Sequence, residues 1–439
     1  NRTLLKWNSK KGSGVMSAKI ISSDQEQMII EVKIMKSSSM LEGEELIQGA
    51  LNEAGQLASQ ELLRNFDTDG SPIVMGDVKL TSKGLMPKLY QTPHGEIEIR
   101  RHVYQSYKGG STYCPLDTHA RTIHSATPKL AKQIAHKYSK LSVDEVKQDF
   151  ESNHSRKLSR GYIQAVSDAV GSIAMAKEEH WNYCAPKQSQ GVHSVSIGLD
   201  GTCMYLRSDG YRIAMVGTLA LYDKEGERLH TTYIAAPPEY GKADFMSRLE
   251  QEILDTKKSY PKAIYIGVAD GAQDNWTFLN RHTSIQVTDF WHVAEYLAAA
   301  SEVIFPKRKE QERQAWLEDR CHKLKHRRGG ASRLLTELER FDQEKLSLEK
   351  QEKLNKTITY FRNQKPRLKY YAQVKENLPI GSGVTEAACK TIIKQRLCKS
   401  GMKWKERGAS IVLSLRCLDR SNRWEQFWEK INQYGVCIA

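Results

Sequence analysis

Apolar positions along the chain change period several times, and each change predicts a different element. Across residues 41–64, Leu46, Ile47, Ala50, Leu51, Ala54, Leu57, Leu62 and Leu63 recur at helical spacing, which predicts an amphipathic helix. Before it, residues 18–36 read as a strand pair and residues 6–13 as an uncommitted polar, basic segment. Residues 95–107 alternate between apolar and polar, the signature of a half-buried strand, and residues 113–117 close that small β unit. Helical spacing returns in 128–138, 142–151 and 158–176, with Ser142 and Glu145 placed as a capping box. Residues 177–190, with Pro186 and little apolar content, predict a linker.

From Gly191 the pattern is that of a sheet. Residues 195–200, 211–222 and 228–236 predict three strands, joined by the turns Ser208-Asp209-Gly210 and 223–226, whose Asp and Gly suit tight hairpins. A helix at 242–257 precedes 264–269, a continuous apolar run of the kind found in strands buried on both faces. A short helix from Asp274 and a strand at 284–288 follow. Three antiparallel strands, a helix and a further strand is an RNase H-like order, with the first and fourth strands parallel neighbours. Residues 290–375 then turn helical and highly charged, with Trp291, Leu297, Trp316, Leu324, Leu334, Leu338 and Leu346 as the stripe and breaks at Gly329-Gly330 and Pro366. This predicts an α/β chain: an RNase H-like mixed sheet with a large all-helical insertion, preceded by a small β unit and a helix-turn-helix-like module. The predicted divisions are 1–92 (helical, dimerising), 93–125 (β unit), 126–190 (DNA-binding helices and linker), 191–292 (first part of the core), 293–380 (insertion) and 381–439 (second part of the core and C-terminal helix, 408–428).

Charge changes the picture next. The chain of 439 residues carries 66 Lys and Arg against 52 Asp and Glu, a formal +14, which suits a polyanionic partner. Residues 307–328 hold nine Lys/Arg against four Asp/Glu and residues 391–407 hold six against one, a local +5 in each. These tracks nominate Lys307, Arg308, Arg327, Arg328, Lys394, Arg396, Lys399, Lys403 and Lys405 for DNA phosphates, and Trp316 and Trp404 for stacking on bases. The turn at 152–157 and the helix after it nominate Arg156, Lys157 and Arg160, with Tyr162 and Gln164, for DNA in the helix-turn-helix manner. Eight scattered cysteines without a C-x-x-C pair predict a reduced, cytoplasmic setting rather than a disulfide framework. No stretch approaches the ~20 apolar residues of a membrane span, and the opening residues do not read as a secretory leader.

Three carboxylates stand out. Two apolar strands stop on Asp200-Gly201 and Asp270-Gly271, and Gly381-Ser382-Gly383 opens a helix with Glu386 in its first turn. Phosphodiester chemistry needs neutralised charge and an activated water or hydroxyl, which two divalent cations about 3.5–4 Å apart supply. Mg²⁺, or Mn²⁺ in its place, prefers such oxygen ligands, so Asp200 would bridge two ions that Asp270 and Glu386 complete. Each has a plainer reading, as turn starters for the aspartates and a helix-dipole acid for the glutamate. Asp289 and His292 form a second candidate group, either a helix cap with a packed imidazole or a support for the metal site.

In combination, G-L-D200-G, V-A-D270-G-A, D289-F-W-H292, G-S-G-V-T-E386-A-A-C-K, I-K-Q-R, S-G-M-K-W404 and L-S-L-R-C resemble the ISKra group of bacterial insertion-sequence DDE transposases, over roughly residues 95–428. The resemblance implies Mg²⁺-dependent cleavage and strand transfer, with Asp200, Asp270 and Glu386 as the catalytic triad and Asp289 and His292 as a supporting D-x-x-H pair. It implies terminal inverted repeats and target DNA as partners, a homodimer or larger assembly to pair two ends, and a nucleoid-associated place in a bacterial cytoplasm. Relatives often carry a cysteine-paired knuckle after the β unit; here 105–114 retains one cysteine. The alternatives are an RNase H-like nuclease without strand transfer and a catalytically silent, domesticated DNA-binding protein.

Overall fold

The alternating and continuous apolar runs form strands in three separate sheets of a computed structural model, which describes residues 17–177, 183, 191–238, 242–344 and 346–434. The basic segment 6–13 and nearly all of the linker 177–190 lie outside the described residues. The fold is mixed α/β, and the chain divides into two compact units, Asn1–Ile173 with Trp428–Ala439, and Ala174–Phe427. Among the described residues no helix is long and apolar enough to cross a membrane.

In the first unit β1 (Ala18–Ser23) and β2 (Met28–Val32) pair antiparallel, the strand pair expected in 18–36, and α1 (Met40–Arg64) follows. A four-stranded antiparallel sheet runs in sequence order through β3 (Ile73–Met75), β4 (Val78–Gln91), β5 (Glu96–Ser106) and β6 (Gly109–Tyr113). The small β unit therefore begins well before residue 93. The sequence hides β4 because Gly84 and Pro87 interrupt its alternation. Helix α2 (Pro115–His119) leads to α3 (Pro128–Lys140), α4 (Val143–His154) and α5 (Arg160–Lys177), the three predicted helices. The Ser142–Glu145 capping box at the start of α4 is formed in both directions.

Arg156, nominated for DNA, is instead a buried strut. The chain leaves α4 through Ser155 in the left-handed conformation (φ 52°). That turn sends the Arg156 guanidinium inward, where it donates to the Thr92 carbonyl (3.2 Å) and to Oε1 of Gln91 (2.6 Å). Burial holds its pKa below the ordinary arginine value. Lys157 and Arg160 stay exposed, Arg160 beside Asp144 (3.2 Å), while Gln164 accepts from the Tyr138 hydroxyl (3.0 Å).

The second unit is built on a five-stranded sheet of β7 (Ser194–Leu206), β8 (Gly210–Tyr222), β9 (Arg228–Ala236), β10 (Ile264–Ala269) and β11 (Ile285–Thr288), in the spatial order β11-β10-β7-β8-β9. Strands β7, β10 and β11 are parallel, and β8 is antiparallel to both of its neighbours. Since side chains alternate between faces, Val195, Ile197 and Leu199 share a core with α6 (Ala243–Ser259) and α7 (Gln273–His282). Ile266, Val268 and Val287 share another with the helices that follow, α8 (Phe290–Ile304), α9 (Glu310–His326), α10 (Gly330–Glu339), α11 (Leu348–Gln364) and α12 (Tyr370–Lys375). The breaks fall at Gly329-Gly330 and Pro366, as predicted.

A short α13 (Gly383–Ala388) runs into a π-helical turn, Cys389–Lys394, and then α14 (Gln395–Leu397). The predicted 408–428 helix is two, α15 (Glu406–Arg420) and α16 (Trp424–Tyr434), separated at Asn422, which has φ 55°.

Candidate metal centre

Strand β7 does not stop on Asp200. It runs on to Leu206 in unbroken register with β8, Asp200 opposite Val216 and Gly201 opposite Met215. The Asp-Gly pair imitates a turn, but Gly201 serves close packing, since a Cβ there would collide with Ile213. What ends near Asp200 is the neighbour, β10, at Ala269. Val268 pairs with Gly198 on one side and Val287 on the other. Asp200 lies two residues past Gly198 on the same face of β7, while Asp270 and Asp289 directly follow the last residues of β10 and β11. Ligands of open α/β sheets gather outside the carboxyl ends of parallel strands.

Glu386 reaches that face on α13, which seats against β7 and β8 where Gly198 leaves room for Thr385, and the Thr385 and Thr218 hydroxyls bond at 2.7 Å. Ser382 ties the elements together: its backbone N–H donates to Oδ1 of Asp289 (2.7 Å) and its hydroxyl to Oε1 of Glu386 (2.8 Å). Asp289 is fully buried, and its other oxygen accepts the His292 N–H (3.2 Å), so it caps α8. Nδ1 of His292 lies 3.3 Å from Glu295.

Asp289, His292 and Glu386 each offer a ligand atom within 4.8 Å of the others, forming the metal-competent cluster found among the described residues. Two carboxylates and an imidazole make a mixed hard and borderline donor set that suits a divalent cation of the Mn²⁺ or Zn²⁺ kind, with Mg²⁺ favouring the carboxylates alone. Of the predicted triad the cluster contains Glu386, whereas Asp200 and Asp270 lie outside it. Asp289 and His292, read from sequence as supporting residues, are the ones drawn tight around Glu386. The spacing D-x-x-H carried that signal, because an N-cap and the residue three further on share the first turn of a helix.

Asp200 and Asp270 are positioned separately. Asp200 accepts from its neighbouring Gly201 N–H (2.6 Å) and from the Cys389 thiol (3.4 Å), one turn beyond Glu386. Burial, together with the Asp200 carboxylate, pushes the Cys389 thiol up to about 12, so it remains a protonated donor. Asp270 is exposed, and its carboxylate accepts the Ala272 N–H (3.1 Å), an Asx turn that starts α7. Helix α11 steadies that loop, the Tyr360 hydroxyl donating to the Asp270 carbonyl (3.1 Å) and the Gln364 amide to that of Gly271 (3.3 Å). Burial raises the Tyr360 pKa, and the nearby carboxylates Asp270 and Asp289 add to the shift.

The nominated DNA contacts divide. Lys307, Arg308, Arg327, Arg328, Lys394, Lys399, Lys403 and Lys405 are exposed. Arg396 is not: it is 1 % exposed, with its guanidinium 5.2 Å from the centre of the Trp404 ring. The indole of Trp404 donates to the Leu397 carbonyl (2.9 Å) and that of Trp316 to Glu337 (3.1 Å), so both rings are held by intramolecular bonds. Arg396 misleads because its place depends on the π-helical turn, whose Thr391 and Ile392 carbonyls are taken by the buried Arg416. Such turns recur at functional sites and rotate the residues that follow them.

No protein-family model matches the chain, and comparison with curated proteins finds no match.

Proposed function

We propose that the chain is a DDE transposase of the insertion-sequence kind, which cleaves DNA at element ends and joins the freed 3′-hydroxyl to target DNA. The observation that carries this reading is the clustering of Glu386 with Asp289 and His292, next to Asp270 just past the end of β10 and Asp200 on the neighbouring β7. The order β11-β10-β7-β8-β9, antiparallel only at β8, supports an RNase H-like core in which α8–α12 form an insertion before the Glu386 helix.

Asp200, Asp270 and Glu386, with Asp289 and His292 beside them, are the residues that would hold Mg²⁺, two ions per site, or Mn²⁺ in its place. A divalent cation there supplies charge neutralisation at the phosphate and a water or hydroxyl activated near neutral pH. The protein's own part is placement. Ser382 orients Glu386, the buried Asp289 fixes the first turn of α8 and with it His292, and α11 holds the Asp270 loop. Crowded carboxylates repel one another, which favours cation uptake. Lys157 and Arg160 are available to terminal-repeat DNA, and the exposed apolar side chains Leu41, Leu46, Ile47 and Leu51 of α1 support action by two or more copies. The reading implies a bacterial, nucleoid-associated protein.

The test incubates the protein and its Asp270→Asn variant with labelled DNA from both sides of the coding sequence, in Mg²⁺, Mn²⁺ or chelator. Metal-dependent cleavage and joining by the parent, lost in the variant, is the expected result. Tight, salt-sensitive binding without cleavage by either protein would sink this reading and favour a DNA-binding regulator.

A further inference from the structure

The cations of α9 are largely spoken for. Lys309 pairs with Glu312 (2.8 Å), Arg313 with Glu310 (3.6 Å) and Lys323 with Asp319 (2.8 Å), while Arg320 reaches Glu337 (2.7 Å) and Lys325 lies 4.1 Å over the Phe290 ring. Past the end of α9 the pattern reverses. The chain turns at Gly329 (φ 73°) and Gly330, whose backbone lies too close to the Lys323 carbonyl for any Cβ. Between this corner and residues 365–375 opens a groove of about 710 Å³, lined by Arg327, Arg328, Lys365, Lys369, Lys375 and the Tyr371 ring. No acid lines it, and none of the five cations has an ion-pair partner among the described residues.

Five like charges around one groove repel one another, and intramolecular packing supplies nothing to offset that. A polyanion does, and the pairing of forked guanidiniums with mobile ammoniums is what phosphodiester oxygens engage without reading sequence. The first turn of α10, without a side-chain cap or an acid, opens into the same groove. We propose that this groove holds DNA by its phosphate backbone. The track lies across the α9–α10 corner and residues 365–375, not along the neutralised length of α9. The proposal rests on the reading above for its choice of partner and is independent of the carboxylate chemistry.

The test measures binding of the full chain to a short fluorescent duplex in EDTA over a range of salt. One variant carries Arg328→Gln, Lys365→Gln and Lys369→Gln, all exposed. A control with the same change in net charge carries Lys309→Gln, Lys323→Gln and Lys353→Gln, cations that each have an acid partner. Each lost phosphate contact removes about 0.9 from the log–log salt slope, so the groove variant should lose up to about 2.7 and bind about 100-fold more weakly near 0.15 M salt. The control should stay within about twofold of the parent. Equal slopes for groove variant and control overturn the proposal. Because this arm contains no metal, a parent that never cleaves DNA sinks the transposase reading and leaves the groove untouched.

Discussion

The backbone of Gly198 lies so close to Thr385 that a Cβ at position 198 would overlap the Thr385 hydroxyl. A residue in the centre of the sheet thereby sets how deeply the Glu386 helix can sit. Gly198→Ala should cost about 1–3 kcal/mol by overpacking and lower the affinity for Mn²⁺, because α13 must lift. Adding Thr385→Ala should restore part of both. Thermal unfolding and Mn²⁺ titration read the two effects, and a double variant as poor as the single one would count against this contact as the cause.

Asp289 both caps α8 and offers a ligand atom, and the two roles can be separated. Asparagine can still cap α8 with its amide oxygen but turns an N–H toward the Ser382 N–H, so Asp289→Asn should stay folded at a cost of about 1–3 kcal/mol while losing Mn²⁺ binding measured by electron paramagnetic resonance. Full Mn²⁺ affinity in the variant would remove Asp289 from the centre.

Ser382 is a positioning residue, since its hydroxyl meets Glu386 rather than any ligand. Outer partners of this kind typically tune metal affinity 10–100-fold, so Ser382→Ala should weaken Mn²⁺ binding within about that range at little cost in stability. Ser382→Thr, which keeps the hydroxyl, should retain most of the affinity. If alanine and threonine behave alike, the hydroxyl does not orient Glu386.

His230 gives the second unit a pH-dependent stability. It is buried on β9, and burial first, then repulsion by Arg423, lowers its pKa to about 4, with Glu252 opposing. The unfolded chain takes up the proton near the ordinary value of about 6.5. Between those values the unfolded state binds more protons, so stability falls as the pH falls through the window and levels off below about 4. The total is about 3 kcal/mol. Denaturant midpoints should therefore decline from neutral pH toward about pH 5, and His230→Gln should flatten that slope. An identical slope in the variant would remove His230 as its source.

The pattern of apolar positions was sufficient for most of this architecture. Period-two alternation locates β5, the Asp/Gly turns at 208–210 and 223–226 delimit β8 and β9, and a continuous run locates β10, because burial and turn chemistry write themselves directly into the residues. The capping box at Ser142 was legible because it is purely local. Asp200-Gly201 reads as a strand end because Asp-Gly is turn chemistry, yet β7 continues and β8 pairs straight past it. Arg156 and Arg396 were unreadable as struts because a basic residue looks the same whether its partner is a phosphate or a carbonyl contributed by distant sequence. The tight grouping of Asp289 and His292 with Glu386 likewise depends on Ser382, and only tertiary structure brings that residue to the head of α8.

The bond between Asp200 and Cys389 spans 189 positions, which has a consequence for synthesis. Domains generally fold as their chain emerges, N-terminal parts first. The strands of the sheet are all translated by Thr288, but Asp200, Asp270 and Asp289 have no α13 to meet until the ribosome has passed the long helical stretch. The Asp289–His292–Glu386 cluster is thus absent from every shorter nascent chain, and a product truncated before Gly383 would have a sheet with no centre on it.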